Sequence, residues 1–396
     1  MSDQHLPRGG LAPGPDIPPP FPPGARPLSP REAVTLFATA AAAVEGEAAA
    51  RDADGTFPAA SFRALHAAGL LTATLPRPLG GLDVRGAALL ALLRRVGRAS
   101  LPVGRVFEGH VNALALILRY GTPAQARRAA ADARAGELFG VWNTEDGPGL
   151  RLVRGEAGAL TLTGGKTFAS GLGHVTRPLL PAEGDAGRVM VVLPAEREPG
   201  TPDPGFWQPL GMRATVSGRV DYTGAVVEPG DMIGRPGDYY RQPEFGGGAL
   251  RFLAVQLGGA DAVVQAARDV LRHLGRAGDD VQRLRFADVA VRLEAAWRVT
   301  AEAQRRLDGW AEGGDPSPLL AYVALARAAT EDACLLACEA AERAVGARGL
   351  LAPHPTERLL RDLRMYLRQP APDAARLEVG AWVLDAPGGG EPWEEA

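Results

Sequence analysis

Cysteine is nearly missing from this chain of 396 residues: Cys334 and Cys338 are the only two. They stand i,i+4 in an Ala/Leu/Glu-rich stretch that puts both on one helical face. Adjacent turns do not favour disulfide geometry, and no His or Cys follows at zinc spacing. A disulfide framework and a cysteine zinc centre are therefore excluded, which leaves core packing to both thiols. An excess of one charge is also lacking, because the formal net charge is -3 and the pI lies near 6.1. That gives no basic footprint for nucleic acid. Long apolar runs are missing too, since Arg or Gly interrupts each one well short of a bilayer span. No membrane segment is expected, and with no cationic-apolar leader at the start the expected location is cytoplasmic.

What is present is an ordinary globular composition, 46% hydrophobic with a mean hydropathy of -0.06, on a chain long enough for several packed layers. Residues 1–30 hold ten prolines, among them Pro18-Pro19-Pro20, and read as a disordered or polyproline-like arm. Residues 31–136 follow helical spacing, with Ser61 expected to cap a helix over 62–68 and Gly69 to end it. Residues 137–238 turn to Gly, Thr, Val and Pro with short alternating runs such as Leu160-Thr161-Leu162-Thr163, the pattern of a small β barrel or sandwich. Helical periodicity returns over 239–385, and 386–396 form a tail. The order helix, sheet, helix predicts an α+β fold.

Several motifs carry a resemblance to one family. His354-Pro355-Thr356-Glu357-Arg358-Leu359-Leu360-Arg361-Asp362, with Gly346 and Gly349 upstream, resembles the late "Gly-Gly-x-Gly … Pro-x-Glu-Arg-x-x-Arg-Asp" element of the acyl-CoA dehydrogenase superfamily. Leu75-Pro76-Arg77-Pro78-Leu79-Gly80-Gly81, Thr122-Pro123-Ala124-Gln125 and Leu210-Gly211-Met212-Arg213-Ala214 are similar to three further family elements. The resemblance covers roughly residues 31–385. It implies an N-terminal helical domain, a middle β domain and a C-terminal four-helix bundle. It also implies FAD, or FMN, as cofactor and a homodimer or homotetramer acting on a small molecule, such as an acyl-CoA or a carrier-bound acyl group.

The same resemblance assigns residues. Trp142-Asn143-Thr144-Glu145 matches "x-x-Thr-Glu-Pro", which places Trp142 and Thr144 at the flavin pyrimidine edge. Thr163-Gly164-Gly165-Lys166-Thr167-Phe168-Ala169-Ser170-Gly171 matches "Asn-Gly-x-Lys-x-Trp-Ile-Thr-Asn". That match supplies Phe168 as the aromatic against the isoalloxazine and Ser170 as a hydroxyl near its N5. Arg276, Gly346 and Gly349 are the candidates for the flavin phosphates, and Arg251 is the candidate for substrate. The chain departs from the family at its base: where relatives carry Tyr-Glu-Gly-Thr, it reads Gln369-Pro370-Ala371-Pro372, and proline cannot take a proton. Residues 246–265 offer only Asp261 as a carboxylate, so Glu244 is the nearest substitute.

Three readings follow. The first is dehydrogenation of an acyl thioester, with Glu244 as base. The second is a flavin-dependent monooxygenase of the same fold, with His110 and Ser170 as donors. This second reading is favoured by Phe168-Ala169-Ser170-Gly171 and by Pro372-Asp373-Ala374-Ala375-Arg376, and it needs no carboxylate base. The third is a family member without catalysis.

Overall fold

The computed structural model describes residues 26–155, 158–197, 202–369, 371–385 and 393. The proline-rich arm up to residue 25, Pro370 and most of the tail lie outside the described residues. Six helices come first: α1 (Pro30–Leu36), α2 (Ala38–Asp54), α3 (Ala59–Ala67), α4 (Gly86–Ala99), α5 (Leu101–Tyr120) and α6 (Pro123–Ala135). Pro30 already belongs to α1, whose start is closed by a Ser29–Glu32 capping box, so the helical block begins inside the expected arm. Thr122 and Gln125 form a second capping box at α6. Ser61 is not the cap expected of it. It lies inside α3, and its N–H and hydroxyl both donate to Glu47 Oε1 of α2 at 2.5 Å, so a neighbouring helix supplies the acceptor that a cap would have provided.

The middle block holds β1 (Phe139–Val141), β2 (Glu145–Arg154), β3 (Leu160–Ala169), β4 (Arg177–Gly184), β5 (Gly187–Val192), β6 (Gly218–Asp221), β7 (Val226–Val227) and β8 (Met232–Ile233). They form one eight-stranded sheet in the order β6-β3-β2-β4-β5-β8, with β1 on β4 and β7 on β3. Most pairs are antiparallel, while β1 runs parallel to β4. Strand β2 also meets β4 in parallel, at Arg151 and Glu183, while β1 pairs with the start of β4 from Phe139 opposite Arg177.

The C-terminal bundle contains α7 (Glu244–Gly247), α8 (Ala249–His273), α9 (Asp280–Gly309), α10 (Ser317–Val345), α11 (Pro355–Tyr366) and α12 (Pro372–Asp385). Helix α5 is long and apolar enough to cross a bilayer, yet thirteen of its residues are buried and it forms the spine of the N-terminal core. Helices α4 and α8 touch backbone to backbone. A Cβ on Gly258 would lie 2.0 Å from the Arg94 carbonyl oxygen, and one on Gly97 would lie 2.4 Å from that of Val255. Arg94 then reaches across to Asp261 with two hydrogen bonds of 2.7 and 2.9 Å, a bidentate pair. Cys334 and Cys338 are free and buried.

Helix α11 ties the three blocks together. Asp362 is fully buried, and its Oδ1 accepts the Met212 N–H of the middle block at 2.6 Å. Arg361 donates to Asp52 of α2 at 2.7 Å and to the Leu210 carbonyl at 2.8 Å. A Cβ at Gly211 would sit 2.1 Å from the Arg361 carbonyl oxygen, so only glycine allows that loop to lie on α11. Burial pushes the Asp362 carboxyl up to about 6, against the pull of Arg358 and the Met212 N–H.

Removing this carboxylate leaves a buried donor and a guanidinium without their partner. We expect D362A to lose roughly 3 kcal/mol of unfolding free energy in urea titration, and D362N, which keeps an acceptor for Met212, to lose less. Equal stability of D362A and the parent protein would contradict this role.

Candidate functional site

The end of β3 and the chain after it form one wall. Phe168 has φ +53°, a conformation a bulky residue rarely adopts. Its ring meets Phe206 and Trp207 edge-on at 5.3 and 6.0 Å, and it stays 39% exposed. It therefore offers a flat apolar face held by two aromatic neighbours. Next to it, Ser170 Oγ lies 2.9 Å from Ser217 Oγ, which lies 2.8 Å from Thr215 Oγ1. The Thr215 hydroxyl donates to the Met212 carbonyl at 2.9 Å.

The direction of this relay follows from proton counting, since each hydroxyl has one proton to give. Thr215 spends its own on Met212, so Ser217 must donate to Thr215 and Ser170 to Ser217. What Ser170 presents outward is an acceptor lone pair.

Trp142 stands behind this wall instead of on it. It is 2% exposed, and its indole N–H donates to the Ser170 carbonyl at 3.0 Å. Its side chain packs in the core and fixes the Ser170 backbone. Thr144 is exposed, and its carbonyl accepts from Thr167 N at 3.0 Å. Between them Asn143 has a buried side-chain oxygen with no hydrogen-bond partner among the described residues, and its carbonyl accepts from Lys166 at 3.3 Å. Lys166 also holds Glu145 at 2.8 Å, Glu145 holds Arg188 at 3.0 Å, and Arg188 donates to the Tyr240 hydroxyl at 3.2 Å. Desolvation lowers the Lys166 pKa, with Glu145 opposing it.

The helical side carries a polar stripe that the sequence reading passed over. Arg105, Glu108 and Asn112 lie at i, i+3 and i+7 on otherwise apolar α5, one face of a helix. Arg105 donates to Glu108 Oε2 at 2.6 Å. Asn112 donates to Glu108 Oε1, and Arg251 of α8 donates to Asn112 Oδ1. Arg251, a candidate from the sequence, thus joins this group. It is in no ion pair among the described residues, and desolvation lowers its pKa with Glu108 opposing. The buried Tyr366 hydroxyl has no hydrogen-bond partner among the described residues; burial raises its pKa, with Glu108 adding to the rise and Arg105 opposing it.

Other candidates fall elsewhere. His110 is fully buried. Its Nε2 donates to the Leu71 carbonyl at 2.7 Å, and its Nδ1 accepts the Phe139 N–H at 3.1 Å. With both nitrogens engaged it has nothing left to offer a reacting group, which corrects the donor role expected of it. Arg276 is exposed at the far end of α8 from Arg251, 3.3 Å from Asp279. Gly346, at φ +73°, opens the turn after α10, and Gly349 is buried against Val345 and Thr356. Glu244 lines a cleft of about 980 Å³ with Oε1 accepting from Arg119 at 3.2 Å. Asp261 is held by Arg94, as described above.

The wall suits a flavin. It combines an exposed aromatic face with an acceptor hydroxyl beside it.

Comparison with known proteins fits this picture. The acyl-CoA dehydrogenase N-terminal domain profile matches residues 30–137 and the C-terminal domain profile matches residues 250–368. Dibenzothiophene monooxygenase of Mycolicibacterium goodii is 25% identical over 360 residues, 81% of this chain and 86% of its own length. L-evernosamine nitrososynthase of a Micromonospora strain is 27% identical over 363 residues, 85% and 86% of the two chains. In shape, TdsC from Paenibacillus sp. A11-2, solved with FMN and indole, superposes with a TM-score of 0.80 at 22% identity. The match covers 89% of this chain and 97% of TdsC.

Burial lowers the His110 pKa from 6.5 to about 4. Its folded form resists protonation, so the unfolded chain binds more protons between those values and stability falls as pH drops through that window. At pH 5 the loss relative to pH 7 from this group is about 2 kcal/mol. Urea titrations at both pH values should show that loss shrinking in H110Q. An undiminished loss would contradict the assignment.

Proposed function

The chain belongs to the acyl-CoA dehydrogenase superfamily, and from that premise we propose that it is a flavin-dependent monooxygenase acting on a small organic molecule. The observation that carries this reading is the direction of the Ser170–Ser217–Thr215 relay, which ends on the Met212 carbonyl. It leaves Ser170 as an acceptor toward the ring. An acceptor matches the reduced flavin ring, whose N5 carries a hydrogen, better than the oxidised ring, whose N5 is itself an acceptor. Reduced flavin, when bound as FMN or FAD, supplies the two electrons with which one atom of O2 enters the substrate and the other leaves as water.

Phe168, Thr144, Asn143 and Ser170 hold the ring, with Trp142 fixing Ser170 from behind. Arg251 and the α5 stripe line the substrate side. They place polar groups where an oxidised or hydroxylated product needs donors.

The dehydrogenase reading wants a free carboxylate at the ring wall, and each candidate is either hydrogen-bonded or away from that wall. Position 370 is proline. Glu108 has both oxygens hydrogen-bonded, and Glu244 is paired with Arg119 in a cleft whose lining includes no residue of the ring wall. The monooxygenase and nitrososynthase relatives align over most of the chain, which supports the same choice.

The test uses purified protein, a flavin reductase and 18O2, with dibenzothiophene and indole as first probes, and in parallel a panel of acyl-CoAs mixed anaerobically with the oxidised flavoprotein. The expected outcome is labelled product from a probe and no flavin bleaching by any thioester. S170A should lower the product rate about a hundredfold, and F168A should weaken flavin binding roughly tenfold. Bleaching by an acyl-CoA without oxygenated product would overturn the proposal in favour of dehydrogenation.

A further inference from the structure

We propose that the substrate on the helical side carries one negative charge, a carboxylate taken up by Arg251, so that the protein acts on a small organic acid. This rests on the placement of the substrate on that side in the monooxygenase reading.

The charges of the enclosed group give the first reason. Arg105, Glu108 and Arg251 are its ions, two cations against one anion. Glu108 is already committed: Oε2 accepts from Arg105 at 2.6 Å and Oε1 accepts from Asn112. Asn112 turns its amide oxygen to Arg251 Nε, so the second guanidinium meets a neutral dipole in place of a carboxylate. Among the described residues Glu108 is the one charged group whose field reaches Arg251. The other ions on the neighbouring elements are engaged with one another, Arg119 with Glu244 and Glu312 at 3.2 and 2.8 Å, Arg241 with Asp238 at 2.7 Å and Arg188 with Glu145 at 3.0 Å. Burial raises the pKa of Tyr239 and Tyr366 beside the group and keeps both neutral. One positive charge is left over, and away from bulk water an uncompensated charge is costly.

The second reason is reach. Arg251 is only partly buried. Among the described residues Nε is its one side-chain nitrogen in a hydrogen bond, and Nη1 and Nη2 are not among the buried polar atoms that lack a partner. Both therefore keep surface that a ligand can touch. With Nε spent on Asn112, the open edge of the guanidinium is its end, where two N–H groups lie side by side at the spacing of the two oxygens of a carboxylate. A monoanion balances the single surplus charge. The second charge of a phosphate would instead face Glu108.

The surroundings fit an acid of modest length. A Cβ on Gly248 would lie 3.1 Å from the Phe245 carbonyl oxygen and 3.3 Å from Arg251 Nη2, so the guanidinium ends beside the turn that carries Phe245. The Phe245 ring is 40% exposed and meets Tyr239 and Tyr240 edge-on at 5.5 and 4.7 Å, which makes aromatic acids the natural probes. At the other end of the stripe, a Cβ on Gly109 would lie 3.8 Å from Arg105 Nη1 and 3.9 Å from Gly140 Cα, and one on Gly140 would lie 3.3 Å from the Trp142 indole nitrogen that holds Ser170. Arg105 and Asn112 are seven residues apart on α5, roughly 10 Å, which sets the scale of the span between the ring wall and the anion.

The experiment is calorimetric titration of the full-length protein as purified, with phenylacetate against phenylacetamide and indole-3-acetate against indole-3-acetamide as matched pairs, and benzylphosphonate as the more highly charged counterpart. At least one acid should bind roughly tenfold or more tightly than its amide, and R251Q should bring the two within about twofold of each other. R251K, which keeps the charge and loses the fork, should fall between them. The wild-type comparison needs no variant, so the test stands even if R251Q misfolds. No preference for the acid in either pair, a preference that survives in R251Q, or tighter binding of benzylphosphonate than of phenylacetate would each overturn the assignment. The titration reads binding without oxygen or turnover, so its failure and that of the monooxygenase reading are distinguishable.

Discussion

The clamp made by α11 is the constraint on which the rest of the structure depends. A flavin wall built from a sheet and a substrate side built from two helices can face each other only if the sheet is held to the bundle at a fixed distance. Asp362 on Met212, Arg361 on Asp52 and Leu210, and Gly211 against the α11 backbone fix that distance from three directions. Such contacts are costly to break and bring no chemistry of their own. The relay that orients Ser170 ends on the carbonyl of Met212, the residue whose N–H Asp362 holds. The clamp thereby reaches the candidate site through a single peptide.

Two polar paths run through the structure without sharing a residue. One runs along the sheet from Asn143 through Lys166, Glu145 and Arg188 to Tyr240. The other runs along α5 and α8 from Arg105 to Arg251. Arginines and carboxylates at low exposure survive because each is hydrogen-bonded to the next, as buried ions must be.

The sequence carried the block order, helices before and after a middle sheet. The Thr122-Pro123-Ala124-Gln125 run matched a family element, and in the structure it opens α6 with a capping box, while the run from Lys166 to Gly171 put an aromatic and a hydroxyl two residues apart at the end of β3. Long-range partners were not legible. Ser61 looked like a cap because its acceptor, Glu47, comes from the preceding helix. His110 looked available because the Leu71 carbonyl and Phe139 N–H that occupy it are 39 and 29 residues away. The Arg105–Glu108–Asn112 stripe was visible as three polar residues at helical spacing in an apolar helix, and it could have been found by asking why that helix tolerates them.

The central claim is that Ser170 faces the ring as an acceptor, and the preference of the protein between the two redox states of flavin tests it most directly. Dissociation constants for oxidised and for photoreduced FMN, measured anaerobically on the wild-type protein and on S217A, give that preference. The account predicts tighter binding of reduced FMN by the wild type. It also predicts a preference cut by roughly tenfold in S217A, where Ser170 regains a proton to donate. Tighter binding of oxidised FMN by the wild type, or a preference untouched by S217A, would contradict it.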